Sequence, residues 1–179
     1  MSKLLYLSLI RSLMYALMGT CPDIMHAISH LGKYSANPRK AHWTATQWVF
    51  HYLNGTHDLG LVLDGQQPIT LQGDIDSDFA QDLDDQSILG YTFNLSSGAI
   101  SWSLKKQATV ASSSTEAKYV ATDHVTKEAM WLHMLLSLIG HPQPKLNLIW
   151  CNNIRAISLI KNPMFHAHTK HIYVKCHYV

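Results

Sequence analysis

The chain has 179 residues, 47% of them apolar and 15% charged, with a net charge of +2 when histidine is neutral. That apolar share builds a core and excludes wholesale disorder, and the length suits one ordinary domain with a small appendage. The weak net charge advertises no nucleic-acid binder, and three cysteines without a CxxC pair are too few for a disulfide scaffold and read as free thiols.

Residues 1–18 read MSKLLYLSLIRSLMYALM, which has the outline of a short signal peptide with Lys3 as its basic start. Arg11 interrupts the apolar run, and Leu4 to Ile10 falls well below the roughly 18–20 residues of a spanning helix. The expectation is an amphipathic helix, no signal peptide and no membrane segment, in a cytoplasmic or nuclear chain. Leu13, Ala16 and Leu17 share one helical face. Pro22-Asp23 opens a second helix, in which Ile24, Ala27, Ile28 and Leu31 have helical spacing. Asn37-Pro38 breaks it, and a third helix runs from about Ala41 to Leu53 before Asn54-Gly55.

The texture changes after Leu63. Asp64-Gly65 and Pro68 mark a boundary, giving a helical segment over 1–65 and a second domain over 66–179. Ile69, Leu71, Gly73 and Ile75 alternate with Thr70, Gln72 and Asp74, which is a strand. Leu89 to Leu95 and Ala99 to Ser103 are two more, joined by the turn Ser96-Ser97-Gly98. A long helix follows from about Ser113 to Ile139, with Ser/Thr at its start and Gly140 at its end. Leu146 to Trp150 is a fourth strand, and Asn152 or Asn153 caps a short helix carrying Ile154, Ile157 and Ile160. The order β-β-β-α-β-α describes an α/β sheet whose first three strands form a meander. Ile69, Leu71, Tyr91, Phe93, Ile100, Trp102, Val120, Trp131, Leu135, Leu148 and Ile157 are its expected core.

Acids are unevenly placed. Of twelve Asp plus Glu, Asp74, Asp76, Asp78, Asp82, Asp84 and Asp85 crowd one short stretch. Local sequence leaves two readings open, a solvated acidic loop or a divalent-metal site at a strand end. Asp74, Asp76 and Asp78 share a face if the strand stays extended. Glu116 sits in the first turn of the long helix, where a carboxylate also serves the helix dipole. The tail after Lys161 carries Lys170, His171 and Lys175 and no acid, the outline of a weak phosphate-contacting patch.

Several fragments taken together resemble the C-terminal end of a copia-type retrotransposon polyprotein, where the tail of reverse transcriptase joins an RNase H domain. They are SLMYA, CPDIMHA, NPRKAHW, YLNGTHDLGL, GDIDSDFAQDLDD, GYTF, GAISWSLKKQATVASSSTEAKY, KEAMWL and KNPMFHAHTKHI, in family order and over nearly the whole chain. The resemblance implies an RNase H-like mixed sheet behind a thumb- or connection-like helical segment, and an ancestral activity: cleavage of RNA in RNA–DNA hybrids. Four carboxylates would hold two Mg²⁺ or Mn²⁺ ions about 3.5–4 Å apart, one activating water and the other stabilising the leaving oxygen.

Mapped by motif, the family's first catalytic Asp falls on Asp76 and its Glu on Glu116. The third position, in a CDN motif, reads Cys151-Asn152-Asn153, so Asn152 replaces the carboxylate. The fourth, in a KHID motif, reads Lys170-His171-Ile172-Tyr173, so Tyr173 replaces it. Asn brings one neutral carbonyl and Tyr stays protonated near neutral pH, so two anionic positions remain, with Asp78 as an additional metal candidate. The second Glu of the family's STEAEY is Lys118. Four basic positions of the helix before YLKGT have become Gln47, Trp48, His51 and Asn54, and the sequence stops inside the family's last helix, a C-terminal truncation.

The implied reading is a fragment without catalytic activity. It would bind Mg²⁺ or Mn²⁺ weakly or not at all, and RNA–DNA hybrid or other nucleic acid weakly through Lys105, Lys106, Lys161, Lys170, His171 and Lys175. Two alternatives stand beside it. One is an active Mg²⁺-dependent ribonuclease H in which Asp78 or Asp123 supplies a substitute ligand. The other is a reused protein-interaction or effector-like module, which an apolar patch around Trp48 would favour.

Overall fold

Leu71, Gly73 and Ile75 fall on one side of a pleated strand, and Gln72, Asp74 and Asp76 on the other; that alternation organises the larger half of the molecule. A computed structural model describes residues 3–63, 69–78, 87–107, 113–143 and 148–161, apart from the side chains of 77, 78, 116, 155, 156, 159 and 160. The chain divides into two compact units, Met1–Val62 and Leu63–Val179.

The first unit is helical. Helices α1 (Lys3–Gly19), α2 (Met25–Gly32) and α3 (Lys40–Gly55) follow in order, with a single 3₁₀ turn, Pro22–Ile24, leading into α2. Proline at the start of that turn sacrifices no hydrogen bond, because its missing N–H would have had no partner there. Helix α1 buries Tyr6, Ile10, Leu13 and Leu17, a stripe at spacings of three and four. They meet Ile24, Ile28 and Leu31 as the buried apolar set of this unit, joined by Val49 of α3. The fully buried Tyr6 hydroxyl donates to the Leu31 carbonyl at 2.9 Å, which removes the cost of burying a phenol. Between α2 and α3 the Tyr34 and His42 rings stack with centroids 3.8 Å apart.

The second unit is α/β. Strands β1 (Leu71–Asp78), β2 (Ile88–Leu95) and β3 (Gly98–Lys106) form an antiparallel meander. Helix α4 (Ser114–Leu138) then crosses over, and β4 (Leu148–Cys151) returns parallel to β1. The order β3-β2-β1-β4 makes a mixed four-stranded sheet, and α5 (Ile154–Lys161) follows β4. The expected class, an α/β fold compatible with the RNase H-like arrangement behind a small helical segment, is the class observed.

The core joins Leu71, Ile75, Leu89 and Phe93 of the sheet to Ala121, Val125, Ala129, Leu132 and Leu136 of α4. Each large side chain buried here contributes about 1.5–3 kcal/mol relative to exposure. Gly73 lies opposite Phe93, and the fully buried Phe93 ring occupies the space a β-carbon on Gly73 would need.

Some expected core residues lie elsewhere. Trp131 is 51% exposed and Leu135 37%, because α4 turns the stripe Ala121, Val125, Ala129, Leu132 and Leu136 to the sheet and positions 131 and 135 fall one residue off it. Leu148 and Ile69 are also exposed, Leu148 on the short strand that ends the order of the described sheet and Ile69 ahead of β1. Leu71 and Phe93 are buried as expected, while Tyr91 and Ile100 pack partly buried against the core. Among the described residues, no helix is long and apolar enough to cross a membrane.

Candidate active site

Three elements converge at the C-terminal end of β1. Asp76 is out of phase with the core residues Leu71 and Ile75, so its side chain leaves the core and is 64% exposed. The parallel register pairs Ile75 with Cys151, which brings Asp76 of β1 beside Asn152, the residue just past β4. Asn152 Nδ2 lies 3.5 Å from Asp76 Oδ1.

The third element is the start of α4. Gln107, buried just past the end of β3, donates from Nε2 to the Ala117 carbonyl at 2.7 Å, and its own backbone N–H donates to the Ser87 carbonyl at 2.8 Å. One buried amide therefore ties the first turn of α4 to the sheet. Lys118 follows Ala117, and its side chain is only 13% exposed. Its Nζ donates to Asp76 Oδ1 at 3.2 Å and also to Asn152 Oδ1. An ammonium thus stands between the two side chains that the sheet register brings together.

Asp76 and Asn152, from motifs far apart in the sequence, lie side by side. Glu116 lies in the first turn of α4, two residues before Lys118, and its side chain is outside the described set. Asp78 ends β1 with its side chain likewise outside that set, and Tyr173, Lys170, His171 and Lys175 fall beyond the described residues. Asp123, the other candidate substitute ligand, is buried on α4, where Lys127 Nζ donates to its Oδ2 at 2.7 Å. Lys105 and Lys106 are exposed at the end of β3. They pair with Leu89 and Ile88, which in turn pair with Ser77 and Asp78. Two strand spacings, about 10 Å, separate this basic pair from β1 at the same end of the sheet. Lys161 is exposed at the end of α5.

The described donors do not suit a pair of divalent ions. A hard cation such as Mg²⁺ takes oxygen ligands, commonly one or two carboxylates with waters, and a pair of ions needs further anionic oxygens to offset their repulsion. Among the described side chains the site offers the carboxylate of Asp76 and the carbonyl of Asn152, and the Lys118 ammonium donates to both. No group of three or more His, Cys, Asp and Glu side chains gathers at metal-binding distance among the described residues. The contribution of Lys118 was legible only as a departure from the family's STEAEY; its reach across to Asp76 and Asn152 depends on how α4 is docked.

No protein-family model and no solved structure matches the chain. Curated relatives do. The chain is 44% identical over its whole length to the retrovirus-related Pol polyprotein from transposon TNT 1-94 of Nicotiana tabacum. It is 38% identical, over 97% of its length, to the corresponding polyprotein from transposon RE2 of Arabidopsis thaliana. It spans only 13% and 12% of the lengths of these two polyproteins. It is also 39% identical over 133 residues to the secreted RxLR effector protein 161 of Plasmopara viticola, covering 74% of this chain and 94% of that protein. With this identity running through the helical unit and the sheet alike, the chain belongs to the family of copia-type retrovirus-related Pol polyproteins of transposons, of which it represents a short segment.

Proposed function

We propose that this segment is an RNase H-like unit that no longer cleaves RNA–DNA hybrids. The observation that carries the reading is Asn152 beside Asp76: a neutral amide stands where the family mapping asks for a carboxylate. Tyr173, in the sequence mapping, removes a second anion. Two-ion hydrolysis places one ion on the attacking oxygen and one on the leaving oxygen, and several anionic ligands must offset their mutual repulsion. Losing transition-state electrostatics of this kind costs about 10³-fold in rate or more. Nucleic-acid binding in this reading is weak and sequence-independent, carried by Lys105, Lys106 and Lys161 with the basic residues of the tail.

The test is a Mn²⁺-supported cleavage assay on an end-labelled RNA–DNA hybrid. The expected result is no cleavage above the protein-free background. Cleavage that Asp76→Asn abolishes would overturn the reading and restore the ribonuclease alternative, with Asp78 as the first ligand to test.

A second reading, an interaction module, draws on one finding: the chain covers almost the whole of a relative named as a secreted effector. Trp48, Phe50 and Tyr52 are exposed on α3, with Trp48 at 68%. Secretion of the chain fused to a reporter separates the two readings. Reporter activity in the medium supports the effector reading, and full retention in the cell counts against it.

A further inference from the structure

We infer that Lys118 is a built-in cation that occupies the place of a metal ion in this site and excludes divalent ions from it. The inference rests on reading Asp76 and Asn152 as counterparts of metal-ligand positions. It adds a third change, a charge reversal, to the two lost carboxylates.

The geometry carries it. A single ammonium donates both to Asp76 Oδ1, at 3.2 Å, and to Asn152 Oδ1. The Asn152 amide completes the ring by turning its Nδ2 toward the same Asp76 oxygen. Two carboxylates at this separation would repel and would call for a cation or a shared proton between them. With Asn at 152, the carbonyl end meets the lysine and the N–H end meets the aspartate, so the neighbours attract without any ion. Lys118 is 13% exposed although lysines are rarely buried unless paired, which places its charge in the site rather than in solvent. Gln107 ties the preceding residue, Ala117, to the end of β3 through its carbonyl. The lysine is therefore held at both its backbone and its head.

A divalent ion entering beside Asp76 meets this charge at about 4 Å. Repulsion between a 2+ and a 1+ charge at that distance weakens binding about 30-fold even at the dielectric constant of water, and more where water is excluded. To bridge Asp76 and Asn152, the ion must displace the ammonium, which then has to find another partner for its charge. The site is thus closed by its own side chain, and the contact becomes a clasp between the start of α4 and the ends of β1 and β4.

The test is Mn²⁺ binding, followed by the electron paramagnetic resonance signal of the free ion, for the full chain and for Lys118→Met and Lys118→Glu. Circular dichroism confirms folding. The unmodified chain should show no Asp76-dependent binding below millimolar Mn²⁺. Lys118→Met should tighten binding at least about tenfold and Lys118→Glu further, and adding Asp76→Asn should abolish the gain. Equal affinity in the unmodified chain and a folded Lys118→Met variant overturns the inference. Should the variants fail to fold, the unmodified chain still decides it by nuclear magnetic resonance. Selective Mn²⁺ broadening of the Asp76 and Asn152 amides at submillimolar metal refutes the built-in cation, and its absence supports it. Hybrid cleavage by the unmodified chain would instead overturn the proposed function, so the two failures are read in different experiments.

Discussion

Replacing Gly73 by alanine tests whether β1, the strand that carries Asp76, is seated as described. An added β-carbon would stand 2.6 Å from Phe93 Cε1, 3.1 Å from Cδ1 and 3.2 Å from Cζ. Carbon atoms at optimal separation sit about 3.5–4.0 Å apart, so the ring must retreat by roughly 1 Å. Phe93 is fully buried among Leu71, Ile75, Val125 and Leu132, and an ångström of movement passes into the helix–sheet core. Overpacking of this kind costs about 1–3 kcal/mol. Alanine recovers about 0.4–1 kcal/mol by narrowing the unfolded ensemble, leaving a net loss of about 1–2 kcal/mol. Native-state hydrogen exchange at the Ile75 and Phe93 amides reads that loss locally, as a rate increase of about 5–30-fold. Gly90→Ala is the internal control. Its nearest obstacle is Leu104 Cδ1 at 3.1 Å, the far end of a half-buried side chain that can turn aside, so exchange should change less than about threefold. Wild-type exchange rates in Gly73→Ala, or a larger effect from Gly90→Ala, would refute the placement of Phe93 over β1.

Three further outcomes follow from the same packing and charges. Burial, reinforced by the charge of Glu128, raises the Tyr91 hydroxyl pKa above 10.0, so the neutral phenol is favoured in the folded state. Its stabilisation is complete below pH 10.0 and is lost as pH rises through the folded pKa; urea midpoints across that range should fall less steeply in Tyr91→Phe, and an unchanged slope would contradict the shift. Lys127→Met should destabilise the second unit by about 1–2 kcal/mol, because it removes the ammonium from the buried Asp123, the half-exposed lysine keeping the effect below that of a fully buried pair; in a double-mutant cycle Asp123→Asn should rescue part of that loss, and strict additivity would show the pair to be uncoupled. Lys105→Glu with Lys106→Glu should weaken hybrid binding and lower the slope of log affinity against log salt by roughly 0.7–0.9 for each phosphate no longer neutralised, measured by fluorescence anisotropy, and an unchanged slope would remove these lysines from the binding surface.

Much of the architecture is local and was therefore readable along the chain. Alternation places Leu71, Gly73 and Ile75 against Gln72, Asp74 and Asp76 by the two-residue period of a strand. Gly140 adopts a left-handed φ of 87°, a conformation that side chains resist, and His141 N donates back to the Leu136 carbonyl as the chain leaves α4. Ser96 and Ser97 form the turn between β2 and β3 at the place the composition indicates.

Other features depend on partners far away in sequence. A helical period cannot say which stripe of α4 meets the sheet when Trp131 and Leu135 compete with Ala121, Val125, Ala129, Leu132 and Leu136; packing against Leu71, Ile75, Leu89 and Phe93 selected the second stripe. The candidate site divides the same way. Motif spacing singled out Asp76 and Asn152 separately, 76 positions apart, and only the parallel pairing of β1 with β4 sets them side by side. Lys118 read as a lost acid on a helix. Its role as the charge between those two side chains arises because Gln107 docks the first turn of α4 over the strand ends, within reach of a four-carbon stem.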